Sequence, residues 1–372
     1  MRLQLCFVPL LAAVWLTLNA SPSVGGDSNA DRLPRSSPES QGISSEAILE
    51  FVNAADQQVD QMHSFMLVRH GRVVAEGWWA PEAADKPHIL WSLSKSFTSM
   101  AVGLAVEEGK LSIDDKVLSF FPDEAPDDPS ANLKAMTVRD LLTMATGHDP
   151  IPHMEPDDQW VEKFLATPVV KQPGSDFLYS TPGTFMLSAI VQKVTGETVN
   201  DYLKPRLFTP LGIKDPRWDK NPQGITIGGY GLYICTEDIA AFGQFLLQGG
   251  KWNGKQLVPE EWVAKATSLQ IDNPDGPHSG NADWRQGYGF QFWQCRHNAF
   301  RGDGRDGQIC LVLPEHDAVI AITAKTSQMQ LQLDLIWKHL LPAFKDSPLP
   351  EDKTSHARLK SKLKMLRVKS AE

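Results

Sequence analysis

A hydroxyl and an amine at helical spacing open an apolar segment of the chain. Residues 89–110, ILWSLSKSFTSMAVGLAVEEGK, place Ser92 three positions before Lys95 and continue as a buried helix that Gly109 ends in the C-cap position. Side chains three apart share a helix face, so Lys95 could take the hydroxyl proton and turn Ser92 into a nucleophile. The alternative is that Ser92 only caps the helix by accepting a backbone N–H. A second Ser-x-x-Lys begins at Ser361, so the spacing alone does not decide.

Two further polar clusters lie far from this one in sequence. The first, PGSDFLYSTPG over residues 173–183, holds Tyr179 and Thr181 in a loop between two Pro-Gly turns and not in a periodic core. The second is Gly302-Asp303-Gly304 followed by Arg305, a glycine-rich lead into a strand where the backbone can approach a ligand closely. Together with the serine and lysine above, these residues are the candidate site.

The elements that must position these clusters change in type along the chain. HSFMLVRHGRVVAEGWW predicts a β-hairpin around its His-Gly turn, and strand patterns return in GYGFQFWQ and GQICLVLPEHDAVIAITA. Helices are predicted from the Ser44 cap to about Gln61, through most of residues 130–280, and over about 327–344. This order predicts an α+β domain over residues 43–344. Its antiparallel sheet is built from the N- and C-terminal segments and flanked by helices, and the inserted region is mostly helical.

The two ends of the chain differ from this domain. The first residues, MRLQLCFVPLLAAVWLTLNASPS, have the charged, apolar and small-residue order of a secretory signal peptide. We expect residues 1–20 to be removed by cleavage near Ala20 and the protein to be periplasmic or secreted. Residues 21–42 are rich in Ser, Pro, Gly and Asp, which predicts a flexible lead-in. Residues 345–372 form a charged tail in which LKSKLKMLRV has helical spacing and a basic face that we expect to be solvated.

Charge, hydropathy and cysteine content exclude several partners. The net charge of −9, with no basic stripe before the tail, argues against nucleic acid. The N-terminal apolar run is shorter than a spanning helix, which argues against stable membrane insertion after signal cleavage. Three cysteines remain after removal of the predicted signal peptide: Cys235, Cys295 and Cys310. They allow at most one disulfide and form no zinc motif. No pattern fixes the oligomeric state.

One loop could be drawn as a metal site. GHDPIPHMEPDD contains His148, His153 and several carboxylates, but it is proline-rich and lacks the helical spacing of histidine ligands. A solvated or cleft-lining loop is the favoured interpretation. We therefore expect neither a metal nor a cofactor.

With these clusters in place, the chain resembles the serine β-lactamase and penicillin-binding hydrolase family, in its class C-like branch. That branch also contains esterases, D-aminopeptidases and 6-aminohexanoate-dimer hydrolases. The resemblance spans about residues 38–344 and is carried, in order, by SLSKSFTS, MTVRDLLTMATGHD, PGSDFLYSTPGTFMLSAIVQKVTG, GGYGLYICTEDIAAFGQFLLQGGKWNGKQL and GQICLVLPEHDAVIAIT. It implies a β-lactamase/DD-peptidase-like fold.

The resemblance also implies roles for the candidate residues. Ser92 would be the acylated nucleophile, Lys95 its proton acceptor or electrostatic partner, and Tyr179 the phenol that relays protons to the leaving group. The third family motif falls on Gly302-Asp303-Gly304. The backbone N–H groups of Ser92 and Arg305 would then form the oxyanion hole.

Two positions depart from the family pattern. Thr181 stands where an amide usually orients substrate and lysine, and a hydroxyl reaches less far. Gly302 stands where a cation helps to recognise the carboxylate of β-lactams, although Arg301 or Arg305 could substitute. We predict an exported serine hydrolase that cleaves an amide or ester of a small molecule or peptide through an acyl-enzyme on Ser92. The alternative is a non-catalytic protein of the same fold that binds penicillin or peptidoglycan, which the departures favour and the intact nucleophile motif opposes.

Overall fold

The structure, a computed structural model, describes residues 33–156, 159–274 and 281–369. Its strands are β1 (Met62–Arg69), β2 (Arg72–Trp78), β3 (His88–Ile89), β4 (Arg217–Trp218), β5 (Leu232–Ile234), β6 (Lys251–Trp252), β7 (Lys255–Gln256), β8 (Trp293–Gln294), β9 (Phe300–Gly304), β10 (Gln308–Leu313) and β11 (Ala318–Ala324). Its helices are α1 (Ser45–Gln58), α2 (Ser94–Glu107), α3 (Ala131–Ala135), α4 (Val138–Leu142), α5 (Trp160–Ala166), α6 (Thr181–Thr195), α7 (Val199–Leu203), α8 (Thr236–Leu247), α9 (Glu260–Ala266), α10 (Met329–Leu335) and α11 (Lys353–Lys364). The predicted signal peptide lies outside the described residues.

The largest sheet is antiparallel and has the strand order β2-β1-β11-β10-β9-β8. Strands β1 and β2 form the predicted hairpin, because His70 and Gly71 adopt φ values of 50° and 69°, the left-handed pair that a two-residue turn requires. Strand β1 then pairs with β11, near the other end of the chain. The predicted α+β fold, with a sheet made from N- and C-terminal segments, is confirmed.

Both faces of this sheet are buried, because alternate residues of its strands enter different cores. On β1, Phe65 and Leu67 pack in a core shared with α1, α10 and α11. Met66 and Val68 pack in the core on the other face, with α2, α6 and α8. A sheet covered on both sides needs apolar residues at nearly every position, which explains the continuous apolar runs of β10 and β11.

The segment around Ser92 is fixed between the large sheet and a small one. Strand β9 lies against the turn that precedes α2, and α2 packs against α6. Just before the turn, Ile89 pairs with Tyr233 of the sheet β3-β5-β4, and the N–H of Leu90 donates to the Leu232 carbonyl oxygen. The start of α2 is therefore held from two sides.

One predicted strand forms only at its end. Of GYGFQFWQ, only Trp293–Gln294 forms a strand, β8, whereas Tyr288 makes isolated bridges to Ile271 and Trp293. Gln291 has a φ of 68°, which is incompatible with a strand. Its buried amide donates to the carbonyl oxygens of Leu141 and Leu142 and accepts from the Thr184 hydroxyl. A side chain that ties two helices together takes precedence over the local strand pattern.

The segment that precedes α1 is ordered against the sheet. Leu33 is buried, and the N–H of Ser36 donates to the carbonyl oxygen of Val73 on β2. The prediction of a flexible lead-in is therefore corrected for residues 33–42, because an apolar anchor and sheet hydrogen bonds outweigh the polar composition. Helix α1 begins as predicted, with the Ser44 hydroxyl accepting from the N–H of Ala47.

The tail forms a helix, α11, as its spacing predicts. Part of its surface is not solvated, because Leu359 joins the core under α1 and Lys362 pairs with Asp56 at 2.6 Å. The three cysteines named above form no disulfide among the described residues. In the described ranges, no helix has both the length and the apolar character needed to cross a membrane.

Candidate active site

Ser92 lies in a tight turn immediately before α2. The turn, Trp91–Leu93, is 3-10 helix, and Trp91 has a φ of 47°, a costly conformation for a large side chain. Helix α2 begins at Ser94, and its N-cap residue is Leu93, without a side-chain cap. The alternative in which Ser92 caps the helix is therefore wrong.

Lys95 is buried, with 1% of its surface exposed, and has one acceptor for each N–H of its ammonium group. Its Nζ lies 3.0 Å from Oγ of Ser92, 3.0 Å from Oγ1 of Thr181 and 2.7 Å from the carbonyl oxygen of Gly229. Thr181 thus reaches the lysine despite being shorter than the family's amide. A neutral amine could donate to two of these atoms and accept a proton from the Ser92 hydroxyl.

The surroundings of Lys95 favour its neutral form. Burial lowers the pKa of Lys95 to about 7, and the Asp303 carboxylate opposes this with a smaller upward effect. Close to neutral pH the side chain is therefore present both as an ammonium and as an amine. A base of this kind needs little free energy to change its protonation state.

Tyr179 is half-buried beside the serine and the lysine. It lines the same cavity as Ser92, and its ring centroid lies 5.0 Å from Nζ of Lys95. The ring stacks on Trp293 at a centroid distance of 5.4 Å. Burial, reinforced by the Asp303 carboxylate, raises the pKa of Tyr179 above its ordinary value. The phenol is therefore protonated at neutral pH.

Strand β9 approaches the Ser92 turn and the start of α2 too closely for side chains at its two glycines. A Cβ on Gly304 would overlap the carbonyl oxygen of Leu90 and lie 3.1 Å from the backbone nitrogen of Ser92. A Cβ on Gly302 would lie 2.5 Å from Oγ of Ser96 on α2. The cation that the family carries at the Gly302 position therefore has no space in this packing.

A buried ion pair occupies the same strand. Nε of Arg301 lies 2.8 Å from Oδ2 of Asp303, and the guanidinium also donates to Sγ of Cys295 and to the Asp283 carbonyl oxygen. Arg301 has no exposed surface and lies 4.1 Å from the ring centroid of Trp284. Arg301 is thus committed to neighbours behind the site and does not replace the missing cation.

A cavity of about 220 Å³ opens in front of the nucleophile. The aromatic or apolar part of its wall consists of Tyr179, Trp284, Trp293 and Met329. The polar part consists of Ser92, Asn281, Asp303, Arg305 and Ser327. The Arg305 side chain is exposed and lies 5.7 Å from the Trp91 ring centroid. Four predicted site residues do not line this cavity. Lys95 and Thr181 lie behind Ser92, and Gly302 and Gly304 are the positions where β9 comes closest to α2 and to the turn before it.

Sequence reasoning missed one direct partner of the lysine. The carbonyl of Gly229 could come from any residue type, so no side chain marks it. The available signal is the glycine pair in GGYG: a Cβ on Gly229 would lie 2.7 Å from Cγ2 of Thr181. The glycine keeps this loop close enough for its carbonyl to reach Lys95.

The loop considered as a metal site does not gather its side chains. His148 is buried against Phe164 and hydrogen-bonded with Thr146, whereas His153 is exposed and paired with Glu155. Asp149 faces Lys171 at 3.5 Å, and Asp157 and Asp158 lie outside the described residues. Elsewhere in the described ranges, no three His, Cys, Asp or Glu side chains are grouped so as to hold a metal ion.

Comparison with known proteins first defines the class of fold. A penicillin-binding protein homologue from Caulobacter crescentus superposes with a TM-score of 0.64 at 17% identity, over 80% of this chain and 97% of that one. A family model described as Beta-lactamase matches residues 53–340. The chain therefore belongs to the Beta-lactamase family.

Two of the similar proteins are a hydrolase and an esterase by name. A 6-aminohexanoate-dimer hydrolase of Paenarthrobacter ureafaciens is 25% identical, over 69% of this chain and 71% of its own length. A lovastatin esterase of Penicillium rubens is 30% identical over 175 residues, which is 40% of this chain and 43% of the esterase. The protein is a serine hydrolase.

Proposed function

We propose that this protein is an exported enzyme that hydrolyses an amide or ester bond of a small molecule or peptide through an acyl-enzyme on Ser92. The observation that carries the proposal is the 3.0 Å contact between Nζ of Lys95 and Oγ of Ser92, made by a buried lysine with a pKa of about 7. A lysine that is partly neutral at physiological pH can accept the hydroxyl proton, which makes the serine nucleophilic.

In the acylation step, Oγ of Ser92 bonds to the substrate carbonyl carbon while its proton moves to Lys95. The electron pair of the carbonyl bond moves to oxygen, which accepts hydrogen bonds from the backbone N–H groups of Ser92 and Arg305. The close approach of Gly304 to the Ser92 backbone supports this oxyanion hole, because it brings the end of β9 beside the turn.

Tyr179 then completes the transfer. Its protonated phenol gives a proton to the leaving oxygen or nitrogen as the bond to that atom breaks, and Lys95 returns the serine's proton to the phenolate. In deacylation, water attacks the ester carbonyl and loses its proton through Tyr179 to Lys95, and Ser92 leaves with a proton. The position of Tyr179 in the same cavity wall as Ser92, with its ring 5.0 Å from Nζ of Lys95, supports this relay.

The charges around the cavity favour uncharged acyl groups. Asp303 presents a carboxylate to the cavity and already pairs with Arg301, Gly302 leaves no space for a cation, and the Arg305 side chain is largely exposed to solvent. A substrate carboxylate beside the scissile bond would therefore lose a charge-assisted hydrogen bond. The aromatic wall of Trp284 and Trp293 instead suits apolar substituents. We propose simple esters and neutral amides as the substrate class.

The test compares p-nitrophenyl butyrate with p-nitrophenyl hemisuccinate, which differ by one terminal carboxylate, and adds benzylpenicillin. We expect kcat/KM for the butyrate to exceed that for the hemisuccinate by about tenfold to a hundredfold, the effect of a missing interaction of about 1.5–3 kcal/mol. Benzylpenicillin should be the poorer substrate. Equal rates for the two esters would mean that Arg305 supplies the cation. Binding of all three compounds without release of product would favour the non-catalytic alternative.

Export is a separate part of the proposal and rests on the signal-like order of residues 1–20. N-terminal sequencing of the protein recovered outside the cytoplasm tests it. A mature chain that starts close to Ser21 is the expected result, and a cytoplasmic protein that retains Met1 would contradict it.

A further inference from the structure

Among the described residues, the outer edge of β2 is covered at two points and left open between them. At one end, Val73 exchanges two backbone hydrogen bonds with Pro34 and Ser36, in parallel orientation. Beyond the other end of the strand, Ala80 exchanges two with Leu366 and Val368, also parallel. The interval between these bridges is about 20 Å long at roughly 3.3 Å per residue. A groove of about 820 Å³ lies along it.

Backbone hydrogen-bonding groups point into this interval. The backbone N–H of Trp79 donates to His63 on β1, whereas the N–H of Ala80 points away from the sheet. Because these groups alternate in direction along a strand, the backbone N–H and C=O groups of Trp78 and Glu76 also point away from the sheet. Strand β2 has a bulge between the residues that pair with Leu67 and Val68 of β1. This extra residue changes the alternation, so the backbone groups of Val73 point outward too. The interval thus offers the N–H and C=O groups of two residues on a sheet edge.

The second wall of the groove is one face of α11. His356, Leu359, Lys360, Leu363 and Lys364 line it, a spacing of three and four residues that places them on one side of the helix. The leucines are apolar, and the two lysines are exposed and form no ion pair with any described residue. In contrast, basic residues on the α1 side of this helix are paired, as Lys362 is with Asp56.

Among the described residues, the opposite rim adds no unpaired carboxylate. Arg35 and Glu76 line the groove, and they pair with each other at 2.8 Å while Arg35 also pairs with Glu237. The indole N–H of Trp78, which lines the groove too, is buried and has no acceptor among the described residues. The groove therefore combines a strand edge, an apolar strip and excess positive charge.

We propose that this groove binds an extended acidic peptide as an additional strand, parallel to β2. The peptide backbone would pair with Glu76 and Trp78, and its acidic side chains would face Lys360 and Lys364. An acyl chain fits less well, because it would cover the outward backbone groups without offering them hydrogen-bond partners. The site lies outside the catalytic cavity and shares no lining residue with it.

The first experiment measures fluorescence anisotropy of fluorescein-labelled Val-Glu-Val-Glu-Val amide with the whole protein. Binding of this peptide and at least tenfold weaker binding of Val-Lys-Val-Lys-Val amide are expected. Two N-methylated versions test the strand geometry, one modified at both glutamates and one at the valines. Only one set of N–H groups can face β2, so one version should lose binding and the other keep it. Equal effects of the two modifications would overturn the proposal.

Variants then locate the site. Lys360→Glu combined with Lys364→Glu should weaken peptide binding at least tenfold, while the control Lys353→Glu, exposed on the same helix and outside the groove, should leave it unchanged. Ser92→Ala should also bind normally, which distinguishes this groove from the catalytic cavity. Hydrogen exchange of the Glu76 and Trp78 amides should slow when the peptide is added. Unchanged binding by the double variant, or displacement of the probe by oleate at similar affinity, would overturn the proposal.

Discussion

At the scale of residues, the site depends on a lysine that is held without a fixed counter-ion. All three acceptors of Lys95 are uncharged oxygens, from Ser92, Thr181 and Gly229. Uncharged partners compensate for burial only in part, so the ammonium form is disfavoured and its pKa is lowered. A carboxylate at any of these positions would have produced a stable ion pair and a poor base.

This arrangement predicts the pH dependence of the free enzyme. Because Lys95 must be neutral to accept the serine proton and has a pKa of about 7, kcat/KM for p-nitrophenyl butyrate should rise with pH to a plateau above that value. Each unit below the pKa should cost about tenfold. Asp303→Asn should lower the apparent pKa, since its carboxylate favours the ammonium form, whereas Asp306→Asn should not. Lys95→Arg should be inactive throughout, because arginine cannot release its proton. A profile flat from pH 5 to 9 would refute the role of Lys95.

At the scale of elements, the site depends on how closely β9 approaches the turn before α2. Gly304 has backbone atoms of Leu90 and Ser92 in front of it, whereas Gly302 faces side-chain atoms of Leu93 and Ser96. Backbone cannot move aside without shifting the turn, whereas the ends of these side chains can change rotamer. The two glycines therefore differ in what their replacement would do.

We expect Gly304→Ala to reduce kcat/KM at least a hundredfold. The added methyl group would separate β9 from Ser92 and widen the proposed oxyanion hole. Loss of one hydrogen-bond donor from such a hole lowers the rate about 10²–10³-fold. Gly302→Ala is the matched control on the same strand and should retain more activity. Circular dichroism and thermal unfolding establish that both variants fold. Full activity in a folded Gly304→Ala protein would contradict the assigned contact between strand and turn.

At the scale of the whole molecule, regular patterns were predictable and individual loop contacts were not. The hairpin, the C-terminal strands, α1 and α11 follow from periodicity and caps, and the contact between Ser92 and Lys95 follows from their spacing. The carbonyl of Gly229 and the left-handed Gln291 could not be predicted, because each depends on a distant segment: the lysine in one case and helices α4 and α6 in the other. The same holds for Leu33, whose burial depends on the completed sheet.

The tail offers a test of stability apart from chemistry. Leu359 on α11 is 2% exposed in the core beneath α1, whereas Met365 just beyond the helix is 67% exposed. Leu359→Ala should lower the free energy of unfolding by about 2–5 kcal/mol, the cost of a buried cavity, and Met365→Ala should have little effect. Chemical denaturation measures both, and kcat/KM should change in neither because α11 contributes nothing to the catalytic cavity. An unaltered stability of Leu359→Ala would mean that the tail is not part of the core.

The central claim is that Ser92 carries the acyl group, and peptide mass spectrometry after reaction with a fluorophosphonate tests it most directly. The account predicts a single modified peptide with the adduct on Ser92, no adduct in Ser92→Ala, and a loss of turnover in that variant of roughly three to six orders of magnitude. Ser99→Ala is the matched control on α2, since the Ser99 hydroxyl is buried without a partner in the described structure, and it should be labelled normally. An adduct on another residue, or a folded Ser92→Ala protein that still turns over esters, would contradict the account.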